Sequence, residues 1–176
     1  MEYTMKAGVL YRNTSNEILA KIKGAMVGPE KKIYHSNDVL SIKTDIRYPD
    51  PQRSHTGDVR NKEYTMVDGN NNVLAIGKPG YAQGDDPDVV GWPICRMPRV
   101  DHAMISIQNQ HFLLTMNNSQ NYSLWDDQHK EILRIMHKGL SGGWRIEDNH
   151  GFAFEVICGV FLFCRYIEQE NEFLIV

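Results

Sequence analysis

Before residue 149 the hydrophobic positions fall in short runs separated by Asn, Asp, Gly or Pro. β-Branched and aromatic residues cluster at 3–11, 17–25, 31–35, 39–47, 62–68, 73–79, 92–97, 102–108, 111–117, 121–127, 131–138 and 143–149. That is the grammar of strands and turns. Alternation is explicit in places. Leu40, Ile42 and Ile46 fall on one face of their run, and Leu133 and Ile135 on one face of theirs. This part of the chain holds no amphipathic helix of ordinary length. About twelve short, closely spaced strands predict a sandwich or a barrel. Two polar stretches, 48–61 and 80–91, are too short to link separate domains. They read as excursions from one sheet system, so the expectation is a single domain over 1–176.

A unit recurs: aromatic, any residue, apolar, any residue, Asp, then a polar turn. It occurs as Tyr64 to Asp68, as Tyr122 to Asp126 and as Trp144 to Asp148. Aromatic and apolar residues two apart face one side of a strand. The Asp opens the turn by bonding the backbone two residues on, and Gly or Asn then takes positive φ. Three copies predict a meander of similar hairpins.

The pattern changes at Gly151. From there to Ile167 the only charges are Glu155 and Arg165. A helix apolar on every side is buried or in a membrane. The run from Phe152 to Cys164 spans about 20 Å as a helix, short of the roughly 20 apolar residues a membrane span needs. Two buried strands are the alternative, but no turn signal divides Phe152 from Tyr166, so the run reads as a buried core helix, with Phe152, Phe154, Val156, Ile157, Val160, Phe161, Leu162 and Phe163 as its packing residues. The stretch Glu168 to Asn171 reads as its stop, and 172–176 as a short final strand.

Composition narrows the functional classes. The formal net charge is −3, with 41% apolar and 23% charged residues. This excludes a disordered chain or a collagen, and it argues against a nucleic-acid binder, which needs a basic surplus. Three cysteines, two of them inside the apolar run, do not make a disulfide framework. The first residues have neither the basic start nor the apolar core of a signal peptide. The expected location is cytoplasmic, and the expected state a monomer or weak dimer.

Together the hairpin units and the hydrophobic C-terminal run resemble the tubby-like superfamily, in particular its small LURP-one-related and bacterial members. The phospholipid scramblases are more distant relatives. The resemblance covers about residues 3 to 173. It implies a closed antiparallel barrel of about twelve strands around a central hydrophobic C-terminal helix. It also implies a non-enzymatic binding or scaffold domain. The partner would be a membrane phospholipid headgroup of phosphoinositide type, reached peripherally, or a protein.

No lipid-binding motif of that family matches residue by residue. The residues themselves offer Arg96 and Arg99 as an anion site, since a guanidinium recognises phosphate with a planar fork. Lys31 and Lys32 are the alternative pair. Against this stands the plainer reading of Arg96 and Arg99 as solvated strand-end charges, paired with Asp101. Three residues apart, the two arginines meet one phosphate only if Pro98 bends the strand.

Other chemistry is thinner. The seven histidines have no ligand spacing among themselves or with cysteine, so no metal site is expected from them. Cys95 and His102 lack a third group for nucleophilic catalysis. Asp85, Asp86 and Asp88 are carboxylates at a spacing that suits calcium, without the loop that would complete such a site. Gly139, Gly142 and Gly143 precede a strand, not a helix, so they read as a turn and bulge, not a phosphate cradle. No catalytic residue and no cofactor is assigned. The competing function is a small ligand carrier or enzyme with a pocket at the barrel rim. The helix separates the two readings, because a filled barrel leaves no interior cavity.

Overall fold

The structure is a computed structural model of the chain and describes residues 1–24, 28–90, 98–118 and 120–172. Among the described residues there are twelve strands, each one of the short apolar runs or part of one. They are β1 (Glu2–Lys6), β2 (Val9–Arg12), β3 (Glu17–Gly24), β4 (Lys31–His35), β5 (Leu40–Arg47), β6 (Glu63–Asp68), β7 (Val73–Tyr81), β8 (Val100–Ile107), β9 (Gln110–Asn118), β10 (Asn121–Trp125), β11 (Glu131–His137) and β12 (Trp144–Asp148). A one-turn helix α1 (Pro87–Val90) sits between β7 and β8, and a long helix α2 (Phe154–Glu172) ends the described chain. Every strand pairs antiparallel with its neighbour in sequence, and β1 pairs with β12 to close the barrel. Among the described residues no strand is left with a free edge, the condition that otherwise invites aggregation.

Local chemistry explains the turns. Asp68 N–H donates to Asn72 O (2.9 Å), and Asn71 N–H donates to Asp68 O (3.0 Å) with Asn71 at φ 64°. The Asp68 carboxylate accepts from the N–H groups of Asn70 and Asn72, both at 2.8 Å. The β10–β11 turn repeats this. Asp126 N–H donates to Lys130 O, His129 takes φ 59°, and Asp126 accepts from Gln128 N–H (3.0 Å) and Lys130 N–H (2.8 Å). Each is a three-residue hairpin loop closed by a left-handed residue. Asp148 also accepts from the amides that follow, those of His150 and Gly151 at 3.0 Å. Its turn leads into α2, so the third unit begins no hairpin.

Three expectations are corrected. The run 3–11 is two strands, β1 and β2, folded at Ala7 and Gly8, which take φ 48° and 75°. The expected stop at 168–171 lies inside α2, because Glu168, Glu170 and Asn171 find partners in Tyr122, Lys62 and Val100. Glu172 is helical, so it starts no strand; residues 173–176, like the run expected at 92–97, lie outside the described residues.

The helix fills the barrel. Ile157, Val160, Phe163, Tyr166 and Ile167 are fully buried, and Phe161 and Leu162 nearly so. Around them stand Met5, Leu10, Ile33, Tyr64, Met66, Ile105, Leu114, Leu124, Leu133 and Ile146 from nine strands. An all-round apolar helix has a wall on every side, which removes the cost its exposed faces would carry in water. Phe152, expected as a packing residue of the helix, precedes it, and the first residues of α2 are less enclosed. Phe152, Phe154 and Val156 are half-buried, with Phe152 against Phe112 and His150, and Phe154 edge-on to His35. Phe163 packs on Tyr64 (centroids 5.7 Å) and Phe161 on Trp144 (5.0 Å). Close approach fixes two glycines: a Cβ on Gly77 would lie 3.1 Å from Phe163 Cδ2, and one on Gly159 would overlap Met66. Among the described residues, no helix is long and apolar enough to cross a membrane.

At its far end α2 is tied to the rim by polar groups. The Tyr166 hydroxyl donates to Pro29 O (2.8 Å) and lies 2.8 Å from Thr44 Oγ1. Lys62 pairs with Glu170 at 2.6 Å, both side chains little exposed. The Asn171 carboxamide accepts from Val100 N–H (3.0 Å) and donates to Val100 O (2.8 Å), as a strand neighbour would.

Candidate functional site

With the interior occupied, chemistry is left to the outer wall and the rim. On the outer wall the ladder of β3, β4 and β5 places lysines side by side. Lys23 is directly opposite Lys32, and Lys32 is directly opposite Lys43. Opposed residues share a face, with Cβ atoms about 5 Å apart. Lys21 lies two residues from Lys23 on the same face, opposite Tyr34. The Lys23 ammonium sits 4.7 Å from the Tyr34 ring centre.

Like charges in opposed positions are destabilising, and the surroundings only partly relieve them. Asp38 pairs with Lys21 (3.3 Å) and Lys23 (3.5 Å), and Glu30 with Lys32 (3.5 Å). The Lys21 ammonium holds the Asp38 carboxyl below the usual carboxylate range. Lys43 has no ion pair among the described residues. Asp45, two residues from Lys43, turns its carboxylate back to its neighbour's amide, Ile46 N–H (2.8 Å).

This rearranges the expected anion sites. Lys31 and Lys32 are consecutive in a strand, so they point to opposite faces. Lys32 belongs to the row, whereas Lys31 is opposite Thr44, whose side chain meets α2. Arg96, like Cys95, lies outside the described residues. Arg99 is exposed and makes no ion pair among the described residues, and Asp101 bonds His102 Nδ1 instead (2.7 Å). Arg99 lines a cleft of about 510 Å³ at the rim where α2 ends, together with Asp101, Met116, Asn118, Gln120 and Glu172. Glu168 and Asn171 form its floor.

The remaining candidates are placed as follows. The carboxylates expected to suit calcium meet cations or amides of the protein. Arg60 pairs with Asp58 (3.0 Å), Asp86 (3.4 Å) and Asp88, while Asp85 accepts from Arg99 N–H (3.0 Å). No group of three His, Cys, Asp or Glu among the described residues is arranged to hold a metal ion. Burial pushes the Cys158 and Cys164 thiols far up, which suppresses the reactive thiolate. Gly139 to Ser141 form a short 3-10 turn, followed by Gly142 and Gly143 at positive φ ahead of β12. Tyr64 and Tyr122 of the repeated units are buried against α2, while Trp144 is half-buried.

The lysine row is the feature that sequence reading missed. Its members lie on three strands, and only the register brings them together. Alternation offered a partial signal, since it places Lys21 with Lys23 on one face of their run. The chain matches no protein-family model, no curated protein and no solved structure.

Proposed function

We propose that the chain is a non-enzymatic binding domain of tubby-like type that takes an anionic, phosphorylated headgroup on the Lys23–Lys32–Lys43 row. The row is the observation that carries this reading. Three ammonium groups in register offer several donors to one phosphate, and a bound phosphate would relieve their mutual repulsion. The net charge of −3 gives no general attraction to anionic surfaces, so binding must be local and short-ranged. Tyr34 beside the row adds an amphipathic ring of the kind found at membrane interfaces. The filled interior supports a surface-binding role over an internal carrier. A barrel threaded by a hydrophobic helix is also the architecture that the tubby-like resemblance implies. Arg99 is the weaker anion candidate, because its cleft carries carboxylates.

Flotation with phosphatidylcholine vesicles containing a few per cent phosphatidylinositol bisphosphate tests this. The wild type should float with these vesicles and not with phosphatidylcholine alone, and binding should fall as salt is raised. Lys32→Glu/Lys43→Glu should abolish flotation, while Arg99→Ala should keep it. Wild-type protein that stays in the soluble fraction, or a double variant that floats as well as the wild type, overturns the reading.

A further inference from the structure

The rim cleft is built differently from the lysine row, and its chemistry points elsewhere. Its floor is held by bonds already made. Glu168 accepts from Tyr122 O–H (2.8 Å) and pairs with Arg165, and Asn171 is stitched to both backbone groups of Val100. Those side chains have little left to give a ligand, but they fix the shape of the cleft.

The walls carry the unused groups. The Arg99 guanidinium has no partner among the described residues, and neither has the Glu172 carboxylate. Asp101 spends one oxygen on His102 and keeps the other. Asn118 uses its carbonyl oxygen on the amides of Gln120 and Asn121, which leaves its NH₂ group unassigned. Met116 supplies the one apolar wall. With Glu168 offset by Arg165, two carboxylates face one guanidinium. A simple anion would meet a net negative cleft, and a simple cation would meet Arg99. The C-terminal end of α2 adds partial negative charge from its last carbonyls.

We infer that this cleft binds a small zwitterion, an α-amino acid, with its carboxylate on Arg99 and its ammonium on Asp101 and Glu172. The carboxylate suits a planar guanidinium fork. The ammonium finds two carboxylates and the helix end, and the side chain lies along Met116. A cleft of about 510 Å³ is within the usual range for small-molecule sites. The pre-set floor lowers the ordering cost of binding. This site is independent of the lysine row, so either can fail without the other.

The test is thermal shift followed by calorimetry on the full chain, with each of the common L-amino acids as probe. Each is run beside its decarboxylated amine and its N-acetyl derivative. At least one amino acid should bind saturably, and both analogues should bind at least about tenfold more weakly, the loss expected for one charged contact. Arg99→Ala and Asp101→Asn should each weaken that binding by a similar factor, and Arg99→Lys should restore part of it. Lys32→Glu/Lys43→Glu should leave it unchanged. Circular dichroism and the unliganded melting temperature verify that each variant is folded. Absence of saturable binding by every amino acid overturns the inference, as does binding that survives both Arg99→Ala and Asp101→Asn or is matched by the amine alone.

Discussion

Gly159 of α2 lies so close to Met66 of β6 that a Cβ on the glycine would overlap Met66 Cε and come within 2.8 Å of Sδ. Both residues are fully enclosed. A glycine inside a helix ordinarily costs about 0.5–1 kcal/mol relative to alanine, so this position favours packing over helix propensity.

Gly159→Ala should therefore destabilise the protein by about 1–3 kcal/mol, the usual cost of overpacking, despite the better helix former. Met66→Ala in the same chain should recover part of that loss. Urea unfolding of the two single variants and the double gives the coupling, expected to exceed about 0.5 kcal/mol. Additive losses would show that the glycine serves some other purpose.

Phe163 and Phe154 separate the core of the helix from its mouth. Phe163 is fully buried against Tyr64, whereas Phe154 is half-buried. Phe163→Ala should cost about 3–5 kcal/mol, a large part of a typical total of about 5–15. Phe154→Ala should cost about 1–2 kcal/mol, in line with its partial burial. Chemical denaturation of both variants checks the order.

Much of this architecture is legible in the sequence, for stated reasons. Strands β3 to β7 and β8 to β12 follow from apolar runs broken by turn residues, and a hydrophobic run too short for a membrane has to be covered by the rest of the chain. The β1–β2 turn is marked in the sequence only by Gly8, since Ala7 is not a residue that announces positive φ. The end of α2 is not legible in the sequence because the partners of Glu168, Glu170 and Asn171 are Tyr122, Lys62 and Val100, distant along the chain. The β4–β5 turn has the same hairpin geometry as the repeated units, with Asp38 at φ 60°. It opens on His35, so no motif marked it. The lysine row depends on register, which alternation within single strands does not reveal.

The Tyr166 hydroxyl joins α2 to two parts of the wall, Thr44 and Pro29. Tyr166→Phe should leave buried polar groups unmatched and cost about 1–3 kcal/mol. Burial pushes the phenols of Tyr64, Tyr122 and Tyr166 up from their ordinary value. Their neutral forms favour the folded state, so this stabilisation is present below the unfolded tyrosine range and is lost as pH rises through the higher folded values. An ultraviolet titration should show these three ionising only as the protein unfolds in alkali.

Acid acts in the opposite sense at Asp68 and Glu131. Hydrogen bonding from Asn72 holds the Asp68 carboxyl low, and Arg134 does the same for Glu131. Each favours folding above the unfolded carboxylate range, and the contribution is lost as pH falls through the lower folded value. Asp68→Asn and Glu131→Gln should each flatten the acid limb of stability against pH. A nuclear magnetic resonance titration should place both midpoints below those of free carboxyls.

The order of elements along the chain sets the order in which a ribosome delivers them. The wall emerges first, strand beside strand, and the element that fills it emerges last. Until α2 is released, the inward apolar faces of twelve strands have nothing to pack against, and the β1–β12 seam has no filled interior to close around. Productive folding is therefore held back to the end of this segment's synthesis. Throughout that interval the nascent wall exposes the apolar surface on which aggregation starts.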